Sequence, residues 1–210
     1  MSRFTGAAPS WMVAARSMIG IKEIRGAQHT PEILEMFRIA GHSGVKDDET
    51  PWCAAAANTA LKIAGWKGTD KLNARSFLEL GEKVEDPRIG DVVVLWRGTP
   101  NGWQGHVGFF AGFDPKGNII VLGGNQNDEF NFTSYPLERL LEYRRPTERL
   151  DTPVRSPLFN PIGLDEALAL EGHGAKTVNQ MSLGELFDHH KFPRQIRRRL
   201  VLDWLDEFDI

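Results

Sequence analysis

The hydrophobic period of this chain changes near residue 90, and that change constrains the fold more than any other feature. Before it, apolar residues recur at helical spacing. Residues 10–19 place Trp11, Met12, Ala15, Met18 and Ile19 on one side of a short amphipathic helix that Gly20 ends. Thr30-Pro31-Glu32 reads as an N-cap, a first-turn proline and an early acid, opening a helix that runs to about Ala40 and closes at Gly41. After the charged loop 46–49, Pro51 suits the first positions of a third helix. An alanine-rich run extends that helix to Ala64, with Gly65 as its stop. Residues 73–80 predict a further short helix before Gly81.

Beyond that point the runs are short, β-branched or aromatic, and bounded by Gly, Pro and Asn. They are Asp91-Val92-Val93-Val94-Leu95-Trp96, His106-Val107-Gly108-Phe109-Phe110-Ala111 and Asn118-Ile119-Ile120-Val121-Leu122. Residues 133–145 supply a last strand or a short helix. Helices followed by strands predict an α+β domain with a mainly antiparallel sheet.

A chain of 210 residues with 41% apolar content holds one large domain, or one of roughly 150 residues with a small appendage. The division predicted is 1–146 for the main domain, 147–163 for a linker or strap, and 164–210 for a helical extension. The middle stretch carries Pro153, Pro157 and Pro161, just after Pro146, with little periodicity. In the last, Ser182-Leu183-Gly184-Glu185 fits a capping box, and Ile196, Leu200, Val201, Trp204, Leu205 and Phe208 share one helical face. Arg194 and Arg197 lie at the start of that helix and Asp206 and Asp209 at its end, against the macrodipole. Burial of the apolar face outweighs this, or the basic start docks onto an anionic partner.

A net charge of -3 offers no global attraction for nucleic acid, so none is expected as a partner. The single cysteine excludes an internal disulfide framework and Cys-rich zinc sites. No Sec signal is visible at the N-terminus, and no stretch approaches the ~20 apolar residues that span a bilayer.

That one cysteine, Cys53, falls at the start of the alanine-rich helix, where the macrodipole favours thiolate over thiol. A nucleophilic cysteine needs a base, and the base an orienting group. Among six histidines only His106 opens a predicted strand. His29 and His42 lie near helix ends, His173 in a glycine-flanked loop, and His189 and His190 in the C-terminal extension. Gly105 and Gly108 flank His106 and leave room for a second chain or a substrate. Asp114-Pro115-Lys116-Gly117 carries type I turn residues. Pairing Phe113 with Asn118 then sets Asn125 opposite His106, within reach across the ladder. A one-residue bulge would substitute Gly124 or Gln126.

Cys, His and Asn in that order, the first on a helix and the others on strands, resemble the papain-like arrangement. The motifs Thr50-Pro51-Trp52-Cys53, Gly105-His106-Val107-Gly108-Phe109 and Gly123-Gly124-Asn125-Gln126 resemble a phage-associated branch of the NlpC and CHAP cysteine peptidoglycan hydrolases. The likeness covers residues 11–146, about two thirds of the chain. It departs from many NlpC members at Trp52, where they carry Asp, and at Asn125, where they carry a second His. It implies a papain-like fold of N-terminal helices on a small antiparallel sheet, with Cys53 as nucleophile, His106 as base and Asn125 as orienting residue. Trp52, Trp103, Gly105 and Gln126 are the expected substrate contacts. Trp103, in a polar loop, is the best placed of the tryptophans, whereas Trp96 ends an apolar strand and reads as core. The run Asp47-Asp48-Glu49 reads as a solvated loop, with a role in binding a stem-peptide amine as the sharper alternative.

The activity implied is hydrolysis of an amide in the peptide of the bacterial cell wall, as a phage endolysin or a secreted antibacterial effector. No metal or organic cofactor is required. Partners would be peptidoglycan, together with a delivery apparatus or a cognate inhibitor protein. The protein would be made in the bacterial cytoplasm and act in the periplasm or wall after release or delivery. Competing readings are a cysteine amidase or protease with a protein substrate, and a catalytically silent wall-binding component of a virion or tail.

Overall fold

The computed structural model describes residues 9–159, and the predicted helices form within it. Helix α1 (Ser10–Ser17) buries Trp11, Met12, Val13, Ala14 and Ala15. Helix α2 (Pro31–Ile39) has Pro31 in its first turn, with Glu32 near its N-terminus and Arg38 in its last turn, the charge order that suits the macrodipole. Thr30 precedes α2 without capping it through its side chain. Its hydroxyl donates to the Lys22 carbonyl and its amide to the Asp48 carboxylate. Helix α3 (Cys53–Ile63) is buried along all but Lys62, because its small alanines let α1, α2 and the sheet approach closely. Residues 74–79 form a 3₁₀ turn after Asn73, whose side chain accepts from the Arg75 amide.

Six antiparallel strands make one sheet in the order β1-β6-β2-β3-β4-β5. They are β1 (Glu82–Val84), β2 (Val92–Trp96), β3 (Gly105–Phe113), β4 (Ile119–Gly123), β5 (Asn131–Tyr135) and β6 (Leu140–Arg145). One face of the sheet, with Val92, Val94, Val107, Phe109 and Leu122, packs into the helical core. The other gathers Val93, Leu95, Phe110, Ile119, Val121 and Tyr143 into a second cluster. Burial on both faces is why the central strands read as unbroken apolar runs instead of alternating ones.

After β6 the chain runs back along the end of α3. Lys67 N donates to Glu148 O at 2.9 Å, Leu150 N to Gly65 O at 2.9 Å and Val154 N to Lys62 O at 3.0 Å, while the Arg149 guanidinium covers the Trp66 ring. The predicted helical extension 164–210 lies outside the described residues. No helix of the described residues is long and apolar enough to cross a membrane.

Candidate active site

Cys53 is the first residue of α3, with Trp52 at the N-cap, so Pro51 lies just outside the helix instead of in its first turn. Trp52, expected as a substrate contact, is fully buried. Its indole N–H donates to Glu23 at 3.2 Å. A Cβ on Gly124 would stand 2.3 Å from the Trp52 ring, so the ring is a wedge between α3 and the segment after β4. The acidic loop beneath it is not all solvated. Asp48 is buried and accepts from the Ile24 and Thr30 amides at 2.8 and 2.9 Å and contacts His29 Nδ1 at 2.9 Å. Burial raises its pKa, but these hydrogen bonds outweigh that and hold it below the usual carboxylate range. Asp48 thus ties the 22–30 loop to the approach to Cys53.

His106 is buried in β3 opposite Leu95 of β2. Its Nε2 meets Gln126 Oε1 at 3.0 Å. The Gln126 amide is itself fixed, since its Nε2 donates to Val121 O at 3.2 Å, Asn131 O at 2.6 Å and Asn131 Oδ1 at 3.1 Å. Only oxygen is left to face the imidazole, so Nε2 of His106 carries the proton and Nδ1 the lone pair. Arg97 Nη2 lies 3.2 Å from Nδ1, where a donor belongs. The Tyr135 ring is 5.3 Å from the imidazole, and the Tyr135 hydroxyl is within reach of Arg97.

Gln126, not Asn125, therefore grips His106. The β3–β4 connection pairs Phe113 with Ile119, one residue beyond the predicted register, and a bulge at Ala111 cancels that slip so that Phe109 meets Leu122. The ladder would carry Asn125 opposite His106 if it continued. It stops because β4 ends at Gly123, and Asn125 turns into the left-handed region at φ +57°. That turn swings the next residue back beneath the imidazole. Among the described residues the Asn125 side chain makes no hydrogen bond.

The sulfur lies beside the same strand. Phe110 N donates to Asp91 O and Arg97 N to Gln104 O across the β2–β3 ladder, so by alternation the Val107 amide points to the β4 side. That amide and those of Ala54 and Cys53 face Sγ, in the gap left where β4 departs. No hydrogen bond joins Sγ to the imidazole among the described residues: His106 shares its sheet face with Leu95, Phe110 and Tyr143, whereas Val107, the next residue, faces α3. Cys53 is only 5% exposed, and burial pushes its thiol pKa up, although the Arg97 charge and the three amides pull it down. The macrodipole argument predicts thiolate, and desolvation wins over it. Burial, reinforced by the Arg97 charge, pushes His106 down to about 3 against a smaller opposing pull from Gln126. The resting pair is thus neutral thiol and neutral imidazole.

Trp103 is 76% exposed on the loop between β2 and β3. Arg75 pins that loop, donating to Gln104 O at 2.8 Å and Pro100 O at 2.9 Å. The space beside Gly105 is filled by the Leu95 carbonyl and the Arg75 side chain, and that beside Gly108 by Val121, so both glycines admit the chain's own neighbours instead of a substrate. Trp96 is half-buried under Arg139, with its indole N–H on Glu138 O at 2.9 Å. His42 Nε2 contacts the Asp70 carbonyl at 2.9 Å, while His173, His189 and His190 lie outside the described residues. No group of three His, Cys, Asp or Glu among the described residues is arranged to hold a metal ion. Arg97 is the functional candidate that motif reading misses. Period-2 alternation from Leu95 reveals it, since Leu95 opposes His106 and Arg97 is the next residue on that face.

No family model and no curated protein matches this chain.

Proposed function

We propose that this protein is a papain-like cysteine hydrolase that cleaves an amide in the peptide part of bacterial peptidoglycan. The observation that carries the reading is the 3.0 Å contact between His106 Nε2 and Gln126 Oε1. Gln126 Oε1 takes Nε2–H and leaves Nδ1 as the lone pair, on the strand whose next amide faces Sγ of Cys53. A carboxamide that orients an imidazole, and a thiol at a helix start against the next residue of the same strand, supply the residue types of a nucleophile, base and orienter set, with Gln126 in the place that the sequence offers to Asn125.

In this reading Nδ1 accepts the Cys53 proton as sulfur attacks the scissile carbonyl. The negative oxygen is stabilised by the Cys53 backbone amide, a contribution often worth ~3 kcal/mol per donor. His106 returns the proton to the leaving amine. Water then adds to the thioester, releasing a carboxylic acid and restoring the thiol. Burial and the Arg97 charge keep the resting imidazole neutral but weaken it as a base, so substrate binding has to raise its proton affinity before the proton moves. Trp103 provides an exposed aromatic surface for the glycan or peptide. A wall substrate would place the action in the periplasm or wall after release or delivery, with peptidoglycan as partner and a delivery apparatus or inhibitor protein as further partners.

A second reading, a silent wall-binding module, is favoured by one observation, the near-closed sulfur with Arg97 on Nδ1. Incubation with purified sacculi separates the two. The hydrolase releases new amino termini, whereas the binder sediments with the wall and releases none. Release from protein substrates alone would instead indicate a protease.

A further inference from the structure

Arg97 is half-buried and has no carboxylate partner among the described residues. The contrast within the same sheet is plain. Arg145 pairs with Asp91 at 2.7 Å and Arg144 with Glu142 at 3.1 Å. Arg97 instead rests on a neutral imidazole nitrogen and beside the Tyr135 hydroxyl. Arg139 adds a second guanidinium with no carboxylate partner among the described residues. It donates to Trp96 O at 3.2 and 3.1 Å, and its guanidinium carbon stands 5.4 Å from the centre of the Tyr135 ring. Two cations near a buried imidazole, one of them also near the Cys53 sulfur, disfavour each other and the site unless an anion from outside joins them.

Building on the hydrolase reading, we propose that Arg97 is the receptor for a substrate carboxylate next to the scissile amide, and that its transfer from His106 Nδ1 to that carboxylate frees the base. A carboxylate accepts from both prongs of a guanidinium, whereas the imidazole offers one lone pair, so the exchange runs toward the substrate. Nδ1 is then open to the Cys53 thiol. The substrate class is an anionic peptide with a free carboxylate beside the scissile amide. The same peptide with a carboxamide at that position leaves Arg97 on the imidazole and is a poor substrate.

Paired stem peptides that differ only in carboxylate versus carboxamide test this through the ratio of their kcat/KM values in wild type, Arg97→Gln and Arg97→Lys. Wild type should prefer the carboxylate by about 10- to 100-fold. Arg97→Gln should bring the ratio near one, and Arg97→Lys, which keeps the charge without the fork and disturbs folding less, should fall between. Each ratio is internal to one variant, so a general loss of activity cancels. A wild-type ratio near one, or an unchanged ratio in either variant, overturns the proposal. If wild type cleaves neither peptide, the hydrolase reading fails, and calorimetric binding decides the receptor separately. Tighter binding of the carboxylate peptide that Arg97→Gln abolishes supports the receptor, and equal or absent binding of the two peptides overturns it.

Discussion

Replacing Gln126 with alanine should cost far more than changing the neighbouring asparagine. Gln126 is buried, and its amide satisfies His106 Nε2–H while donating to Val121 O, Asn131 O and Asn131 Oδ1. Truncation strands the imidazole N–H in a site closed to water, which costs about 1–3 kcal/mol, and removes a donor from the Val121 and Asn131 oxygens. A total near 3 kcal/mol lowers Tm by roughly 6–12 °C for a chain of this size. Asn125→Gly removes no side-chain hydrogen bond and suits φ +57°, so its effect should stay within about 0.5 kcal/mol. Thermal unfolding followed by circular dichroism measures both. The imidazole ¹⁵N spectrum adds a second readout, since wild type should show an Nε2–H tautomer that Gln126→Ala loses. A large fall in Tm for Asn125→Gly beside an unchanged Gln126→Ala protein would refute the assignment of Gln126 as the residue that orients His106.

Other consequences are equally direct. Gly124→Ala places a methyl group 2.3 Å from the Trp52 ring and 2.8 Å from Ala56 Cβ, so it should destabilise by about 1–3 kcal/mol and shift Trp fluorescence on denaturation. The buried Cys53 thiol should react slowly with iodoacetamide at pH 7, its rate rising only above the ordinary thiol range; fast alkylation at neutral pH would contradict a raised pKa. His106 titrates near 6.5 when unfolded and at about 3 when folded, so the unfolded chain binds more protons between those values. Stability should be full above pH 6.5 and fall as pH drops, by about 2 kcal/mol between pH 7 and 5, as read by urea unfolding.

The three helices and three central strands are legible in the sequence because their packing agrees with local signals: proline at the start of α2, alanines in α3, and apolar runs in β2, β3 and β4. Strand β1, Glu82–Val84, is not legible, since a three-residue strand with two exposed charged residues carries no apolar period. Residues 133–145 read as a last strand or a short helix, and the mixture of Leu, Glu and Arg in β6 leaves that choice open; the fold makes it a strand between β1 and β2. Cys53 and His106 stand out by residue type and position. Their surroundings do not, because register arithmetic counts ladder rungs and cannot see Asn125 leave the ladder through a left-handed turn. Nor does a helix start announce that desolvation of the sulfur will outweigh the macrodipole. Arg97 lacks a motif altogether and becomes conspicuous only beside the imidazole.

The central claim is tested most directly by digesting purified sacculi in H₂¹⁸O and reading the released fragments by mass spectrometry, wild type against Cys53→Ala. Wild type should release fragments with a new amine and a new carboxyl group carrying one ¹⁸O, and the variant none. The same labelled fragments from both proteins would contradict it.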